Sequence, residues 1–66
     1  MLIMLNGERY EVPDNSTLSD LLTTLEMQNG RFAVEVNGEL IPRSEHATHP
    51  LESSDRVEIV QAIGGG

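Results

Sequence analysis

The 66-residue chain contains neither cysteine nor lysine. Without cysteine it forms no disulfide, thiolate metal site or iron–sulfur cluster, and it has no cysteine nucleophile. Without lysine it forms no lysine Schiff base. It also offers no lysine side chain to which another protein chain could be joined by an isopeptide bond. These absences exclude several classes of covalent catalysis, and they exclude lysine-linked chains of the protein itself.

Positive charge and aromatic rings are also scarce. Four arginines stand against eleven acidic residues, which gives a formal net charge of −7, and Tyr10 and Phe32 are the only aromatic residues. Nucleic-acid binding requires basic patches and often stacking rings, so the composition disfavours it. An acidic surface instead favours encounters with basic partners, or it serves only to keep a small protein soluble.

The chain also lacks a long hydrophobic run. No apolar stretch approaches the ~20 residues of a membrane-spanning helix, and the first ten residues reach a polar turn too early for a signal peptide. A chain of this length forms one domain with a thin core, with little room for a small-molecule pocket of ~300–1,000 Å³. We therefore expect a cytoplasmic domain that binds no membrane and is not itself an enzyme.

Two Asn-Gly pairs predict two β-hairpins, because these residues adopt the positive φ angles of a type I′ turn. The pair Asn6-Gly7 joins an arm over Met1–Leu5 to an arm over Glu8–Val12. The first arm is apolar on both faces, which is typical of a central strand, whereas the second is typical of an edge strand. The second hairpin joins Phe32–Val36 to Glu39–Ile41 through Asn37-Gly38.

The stretch "NSTLSDLLTTLEMQNG" predicts a helix. Its apolar stripe follows the helical spacing i, i+3, i+4 and i+7 and comprises Leu18, Leu21, Leu22 and Leu25. Ser16 or Thr17 can cap the start, and Thr17 with Asp20 has the spacing of a capping box. Gly30 is the expected C-terminal stop. The residues expected to face solvent are Thr23, Thr24 and Glu26.

The stretch "RVEIVQAI" predicts the last strand, after a loop over "RSEHATHPLESSD" with at most one helical turn. The long connection makes the first and last strands parallel neighbours in the middle of the sheet. A single helix covers one face of that sheet. The prediction is an α+β fold with a mixed sheet of four or five strands on one helix. Residues 1–63 form this domain, and residues 64–66 form a flexible glycine tail.

Alternation along the central strands predicts an apolar surface on the side of the sheet away from the helix. This surface comprises Leu2, Met4, Val60 and Ala62, and it adjoins the start of the tail. A contiguous exposed patch often marks an interface, so we expect a partner to dock there. The alternative is that the loop over residues 43–55, or a second copy of the chain, covers this face.

The ending "VEIVQAIGGG" is the most unusual feature of the sequence. Glycine loses the most backbone freedom on folding, yet three glycines directly follow the predicted strand. Three extended glycines reach at most ~10 Å and can thread a narrow channel in another protein. A carboxylate at their end is inert until ATP activates it as an acyl-adenylate. The alternative is a flexible tail without a function.

The hairpins "LNGE" and "VNGELIPRS" and the ending "DRVEIVQAIGGG" resemble the ThiS sulfur carrier family of thiamine biosynthesis, over nearly the whole chain. The resemblance implies a ubiquitin-like β-grasp fold. It also implies that a ThiF-type adenylating enzyme uses ATP to activate the terminal glycine. Sulfur from a cysteine desulfurase then converts this end to a thiocarboxylate, which a ThiG-type thiazole synthase consumes. The carrier itself binds no cofactor.

Carried over to this sequence, the resemblance implies that Gly66 is adenylated and bears the sulfur, while Gly64 and Gly65 thread the partner's channel. Three alternatives stay open at this point. The first is a related carrier of the type found as the small subunit of molybdopterin synthase. The second is a ubiquitin-like modifier of other proteins, and the third is a plain interaction module with a frayed tail.

The stretch "SEHATHPLESS" is the least typical part of the sequence for this family. Its two histidines, His46 and His49, are expected to be exposed loop residues, because their spacing alone is a weak metal-binding signal. Asp14 and Asp20 are interpreted as a turn residue and a helix cap instead of a catalytic pair of acids.

Overall fold

The computed structural model describes residues 1–27 and 29–61 of the chain. Its elements are β1 (Leu2–Leu5), β2 (Glu8–Glu11), α1 (Leu18–Thr24), β3 (Phe32–Val36), β4 (Glu39–Ile41), a 3₁₀ turn (Arg43–Glu45) and β5 (Arg56–Gln61). The strands form one five-stranded sheet in the order β2-β1-β5-β3-β4. β1 and β5 are parallel neighbours, and the other pairs are antiparallel. The predicted α+β fold with central first and last strands is confirmed.

Both predicted Asn-Gly turns are present. Asn6 and Gly7 have φ angles of 49° and 85°, and Asn37 and Gly38 have φ angles of 53° and 86°. These left-handed pairs close two-residue type I′ turns, whose twist matches that of the flanking strands. The turns fix the register of each hairpin, so that Leu5 lies opposite Glu8 and Val36 lies opposite Glu39.

The start of α1 was also predicted correctly. Thr17 is the N-cap: its hydroxyl accepts from the Asp20 backbone N–H at 3.1 Å, and the Asp20 carboxylate accepts from the Thr17 N–H at 2.9 Å. This reciprocal pair is a capping box. The next two free backbone N–H groups, on Leu18 and Ser19, donate to carbonyls of the loop at His49 and His46, each at 2.9 Å.

The predicted end of the helix at Gly30 is wrong. α1 ends at Thr24, and the residue that takes the left-handed conformation is Glu26, with φ of 58°. Its N–H donates to the Thr23 carbonyl at 3.0 Å, and the Met27 N–H donates to the Leu22 carbonyl at 2.9 Å. These two bonds form a Schellman motif, which satisfies the last carbonyls of the helix before any glycine is reached.

The core lies between α1 and one face of the sheet. Its buried apolar residues are Ile3, Val12, Leu18, Leu21, Leu22, Val34, Val36, Ile41, Leu51 and Val57. The predicted leucine stripe faces this core, with Leu25 half-buried at its end. None of the described helices is long and apolar enough to cross a membrane.

The prediction that His46 is an exposed loop residue is wrong. Its side chain is buried, its Nε2 atom lies 3.1 Å from the Ile41 carbonyl oxygen, and its ring stacks on Phe32 with the centroids 6.3 Å apart. The cause is the contact between the loop and α1, since the loop supplies acceptors to the helix N-terminus and contributes Leu51 to the core. The loop therefore packs against the helix, and it leaves Val60 on the opposite face 62% exposed.

Candidate docking face and tail root

The strand that leads to the glycine tail is paired with a neighbouring strand on both of its edges. β5 pairs with β3 through five residue pairs, from Phe32↔Gln61 to Val36↔Val57. On its other edge it pairs with β1, where Leu5 lies opposite Val57, and the Ile59 N–H donates to the Asn6 side chain at 2.8 Å. Gln61 is the last described residue of this strand. Ala62 and the three glycines of the tail lie outside the described residues.

The side of the sheet away from α1, which we call the outer face, carries Leu2, Met4 and Val60, as the sequence predicts. Its described members are Leu2, Met4, Arg9, Glu11, Ala33, Glu35, Leu40, Arg56, Glu58 and Val60. Leu2 is 40% exposed, Val60 is 62% exposed and Met4 is half-buried. The predicted orientation of these three residues is therefore confirmed.

The predicted contiguity of the apolar patch is wrong for its described members. Met4 lies opposite Arg56, which places Val60 four residues further along β5, or about 13 Å at the usual rise of a strand. On the outer face of β5, Arg56 lies beside Met4, and Glu58 lies between Arg56 and Val60. Alternation within a strand predicts which side chains share a face, but the offset between two parallel strands depends on the connection and the packing.

Sequence reasoning missed two other apolar residues at this end of the outer face. Ala33 lies directly opposite Val60 on β3, and Leu40 on β4, which is 61% exposed, lies opposite Glu35, two residues further along β3. The sequence could have indicated Ala33, because an antiparallel pairing of Phe32–Val36 with the last strand brings alternate residues of the two strands together on one face. We call Ala33, Leu40 and Val60 the apolar cluster.

Two acidic side chains lie directly opposite one another beside the apolar cluster. Glu35 on β3 pairs with Glu58 on β5, and both point to the outer face. Like charges directly opposite one another destabilise a sheet. In the part of the chain that the structure describes, neither carboxylate takes part in a salt bridge. The pair therefore presents concentrated negative charge to a partner, next to apolar surface.

A second feature lies where β5 approaches the tail. An open groove of about 500 Å³ is lined by Arg31, Phe32, Ala33, Arg43, Val60 and Gln61, and we call it the root groove. The Arg43 guanidinium lies over the Phe32 ring, with Cζ 5.0 Å from its centroid. Its Nη2 atom donates to the Gly30 carbonyl at 2.6 Å. Gly30, predicted as a helix stop, is thus an anchor for this arginine.

Among residues 1–27 and 29–61, no group of three or more histidine and acidic side chains is arranged to hold a metal ion. Asp20 is the helix cap that the sequence predicted, and it bonds to the Thr17 N–H. Asp14 contacts the amino group of Met1 at 3.1 Å. Both acids therefore have local structural contacts.

Comparison of the sequence with those of known proteins identifies relatives of this chain. The sequence model of the ThiS family matches residues 3–66. The chain is 36% identical over 66 residues to a thiazole synthase of Paramagnetospirillum magneticum, covering 100% of this chain and 20% of the synthase. It is 35% identical over 68 residues to the sulfur carrier protein ThiS of Bacillus subtilis, covering 98% of this chain and 100% of that carrier.

A solved structure gives the same result for the fold. The crystal structure of the thiamine biosynthesis protein ThiS from Geobacter metallireducens matches with a TM-score of 0.85 and 28% sequence identity, covering 100% of both chains. The fold is therefore the ubiquitin-like β-grasp fold. The chain spans about a fifth of the length of the thiazole synthases that it matches, and the whole length of the B. subtilis carrier.

Proposed function

This chain belongs to the ThiS family, and from that premise we propose that it is a sulfur carrier in thiamine biosynthesis. The observation that carries the proposal is the family match, which runs through the last strand and includes Gly66. The central position of β5 supports it, because a strand held on both edges gives the tail a fixed origin. The protein acts as a co-substrate of other enzymes, and the expected cytoplasmic location remains part of this proposal.

The proposed chemistry takes place at the carboxylate of Gly66. At neutral pH an α-carboxylate is an anion without a leaving group, so a nucleophile does not displace its oxygen. A ThiF-type enzyme transfers AMP from ATP to this carboxylate, releasing pyrophosphate and forming an acyl-adenylate. A persulfide derived from a cysteine desulfurase then attacks the acyl carbon and displaces AMP, which forms an acyl disulfide. A thiol cleaves its S–S bond, forming a disulfide with the carrier of the persulfide, and the end of the chain becomes a thiocarboxylate. Glycine suits this role because no side chain hinders the acyl carbon.

The proposed acceptor of the sulfur is a ThiG-type thiazole synthase. Support comes from the thiazole synthases of two bacteria, each of which contains a segment 36% identical to this entire chain. Fusing a carrier to the enzyme that consumes its sulfur raises the effective concentration of one for the other. This observation favours the thiazole pathway over a carrier for molybdopterin synthase or a modifier of other proteins.

The outer face is the proposed docking surface for the adenylating enzyme. Within it, the apolar cluster is closest to the tail, with Glu35 and Glu58 beside it and with Leu2 and Met4 at the far end of the face. A partner with an apolar contact flanked by arginine or lysine side chains would bury the cluster and neutralise the opposed carboxylates.

Intact-mass measurement tests the proposed function directly. The purified chain is incubated with ATP, a ThiF-type enzyme and a sulfur source, and the C-terminal peptide is then sequenced. We expect the mass change of one sulfur replacing one oxygen, located on Gly66. The same mixture without ATP is the control and should show no change in mass. Sulfur on an internal residue, or an unchanged mass in the complete reaction, would contradict the proposal.

A further inference from the structure

Among the described residues, none of the four arginines of this acidic chain forms an ion pair. The ion pairs there involve only the amino group of Met1, with Glu11 and Asp14, although the chain has eleven acidic residues. Two of the four arginines, Arg31 and Arg43, line the root groove. The groove is therefore a positively charged site beside the tail, on a protein whose net charge is −7.

The arginine at the centre of the groove is held in place before any ligand arrives. The Phe32 ring contacts the Arg43 guanidinium, with Cζ 5.0 Å from the ring centroid, and the buried ring of His46 stacks on Phe32. The Gly30 carbonyl oxygen accepts a hydrogen bond from Arg43 Nη2, at 2.6 Å. A guanidinium carries five N–H donors in a planar fork, so donors remain for a carboxylate. Because the side chain is already ordered, binding costs less conformational entropy.

We propose that the root groove binds an acidic segment of the adenylating enzyme, with Arg43 and Arg31 as the partners of its carboxylates. The proposal rests on the proposed function, because it assigns a contact to the same docking event. Charge complementarity identifies the occupant as anionic. The apolar walls formed by Phe32, Ala33 and Val60 fit a segment in which an acidic residue adjoins an apolar one.

This assignment gives the carrier a surface with two signs of charge. The Glu35–Glu58 pair on the outer face attracts basic side chains, and the root groove, a few residues away, attracts acidic ones. Val60 belongs to both sites, so one partner can span them. Such an arrangement fixes the orientation in which the carrier docks, and thereby the direction in which its tail leaves β5. A second copy of the chain is a poor occupant, because two molecules of net charge −7 repel.

The test compares Arg31→Gln and Arg43→Gln with Thr24→Glu. Each substitution makes the net charge one unit more negative, but Thr24 lies on the exposed side of α1, away from the groove. Binding to the ThiF-type enzyme is measured by calorimetry at low and high salt, after circular dichroism has shown that each variant is folded. We expect each arginine variant to bind about tenfold more weakly at low salt, with a smaller difference at high salt. Thr24→Glu should bind within about twofold of the unmodified chain.

Two results would overturn the assignment. One is that folded Arg31→Gln and Arg43→Gln bind as tightly as Thr24→Glu, which would make Arg43 a purely structural tie to Gly30. The other is that ATP alone, without the enzyme, shifts the guanidinium NMR signals of Arg31 and Arg43, which would make the groove a nucleotide-phosphate site. Failure of the proposed function is distinguishable, since the unmodified chain would then gain no sulfur on Gly66 while these binding constants would still be measured.

Discussion

At the scale of single residues, the backbone conformation is explained by the sequence at most positions. The non-glycine residues with positive φ are Asn6, Asn15, Glu26, Asn37 and Ser54 among those described. Asparagine tolerates the left-handed region better than other residues do, which is why both hairpin turns were predictable. Glu26 has no such tolerance, and nothing in the sequence marked it as the residue that ends α1.

Glu26→Gly should stabilise the protein. A non-glycine residue in the left-handed conformation costs roughly 1–2 kcal/mol, whereas glycine loses about 0.5–1 kcal/mol of additional backbone entropy. The difference predicts a gain of about 0.5–1 kcal/mol in the free energy of unfolding, measured by urea titration. Thr24→Gly, two residues earlier in the last helical position, is the control and should lose a few tenths of a kcal/mol. Equal destabilisation by both changes would contradict this reading of the Schellman motif.

His46 shows what residue-level reasoning could not predict. Its neighbours in the sequence are polar and include no periodic pattern, so an exposed position was the reasonable expectation. Its burial depends on Phe32 and on the N-terminus of α1, which are distant in the sequence. The stack of His46, Phe32 and Arg43 is therefore a product of tertiary packing, and the root groove that it supports was invisible in the sequence.

At the scale of elements, α1 is a seven-residue helix that depends on its surroundings. A helix this short is unstable in isolation, because nucleation is costly and few hydrogen bonds follow it. The capping box and the loop carbonyls of His46 and His49 satisfy the first N–H groups, and the leucine stripe packs on the sheet. The capping residues were predictable from their spacing, whereas the acceptors from the loop were not, because they require the folded chain.

Thr17→Ala should destabilise the protein by about 1 kcal/mol, within the range of 0.5–2 kcal/mol seen for lost N-caps. The change removes the hydroxyl that accepts from the Asp20 N–H at 3.1 Å and leaves that donor without its partner. Thermal and urea unfolding measure the loss. Thr17→Ser keeps the hydroxyl and should lie within a few tenths of a kcal/mol of the unmodified chain. If the serine and alanine variants were equally unstable, the loss would come from packing and not from the cap.

At the scale of the whole molecule, the topology was predictable and the surface was only partly so. The apolar first strand and the length of the connection predicted a parallel central pair, and β1 and β5 form it. The offset between these strands then separates Met4 from Val60, with Arg56 beside Met4 and Glu58 between Arg56 and Val60. Function was inferred from the glycine ending and the family resemblance, whereas the proposed docking surface near the end of β5 could be located only from the strand register.

Val60→Glu should weaken binding to the adenylating enzyme by about tenfold or more, because it places a charge in the apolar cluster nearest the tail. Met4→Glu should weaken it less, since Met4 lies at the far end of the outer face. The matched control is again Thr24→Glu, which adds the same charge on the helix side. Titration of folded variants against the enzyme measures the three affinities. Unchanged affinity for both Val60→Glu and Met4→Glu would exclude the outer face as the docking site.

Fold and function should also separate along the chain. Deletion of Gly65 and Gly66 should abolish adenylation and leave the midpoint of thermal unfolding nearly unchanged, because glycine has no apolar side chain to bury. Leu22→Ala should have the opposite effect: Leu22 is 4% exposed in the core, and its truncation should cost about 2–5 kcal/mol. That loss is a large share of the stability of a small domain. A folded fraction of Leu22→Ala, measured below its unfolding transition, should still be adenylated on Gly66. A deletion variant that unfolds at a much lower temperature would show that the glycines stabilise the fold, and the tail would then have a structural role.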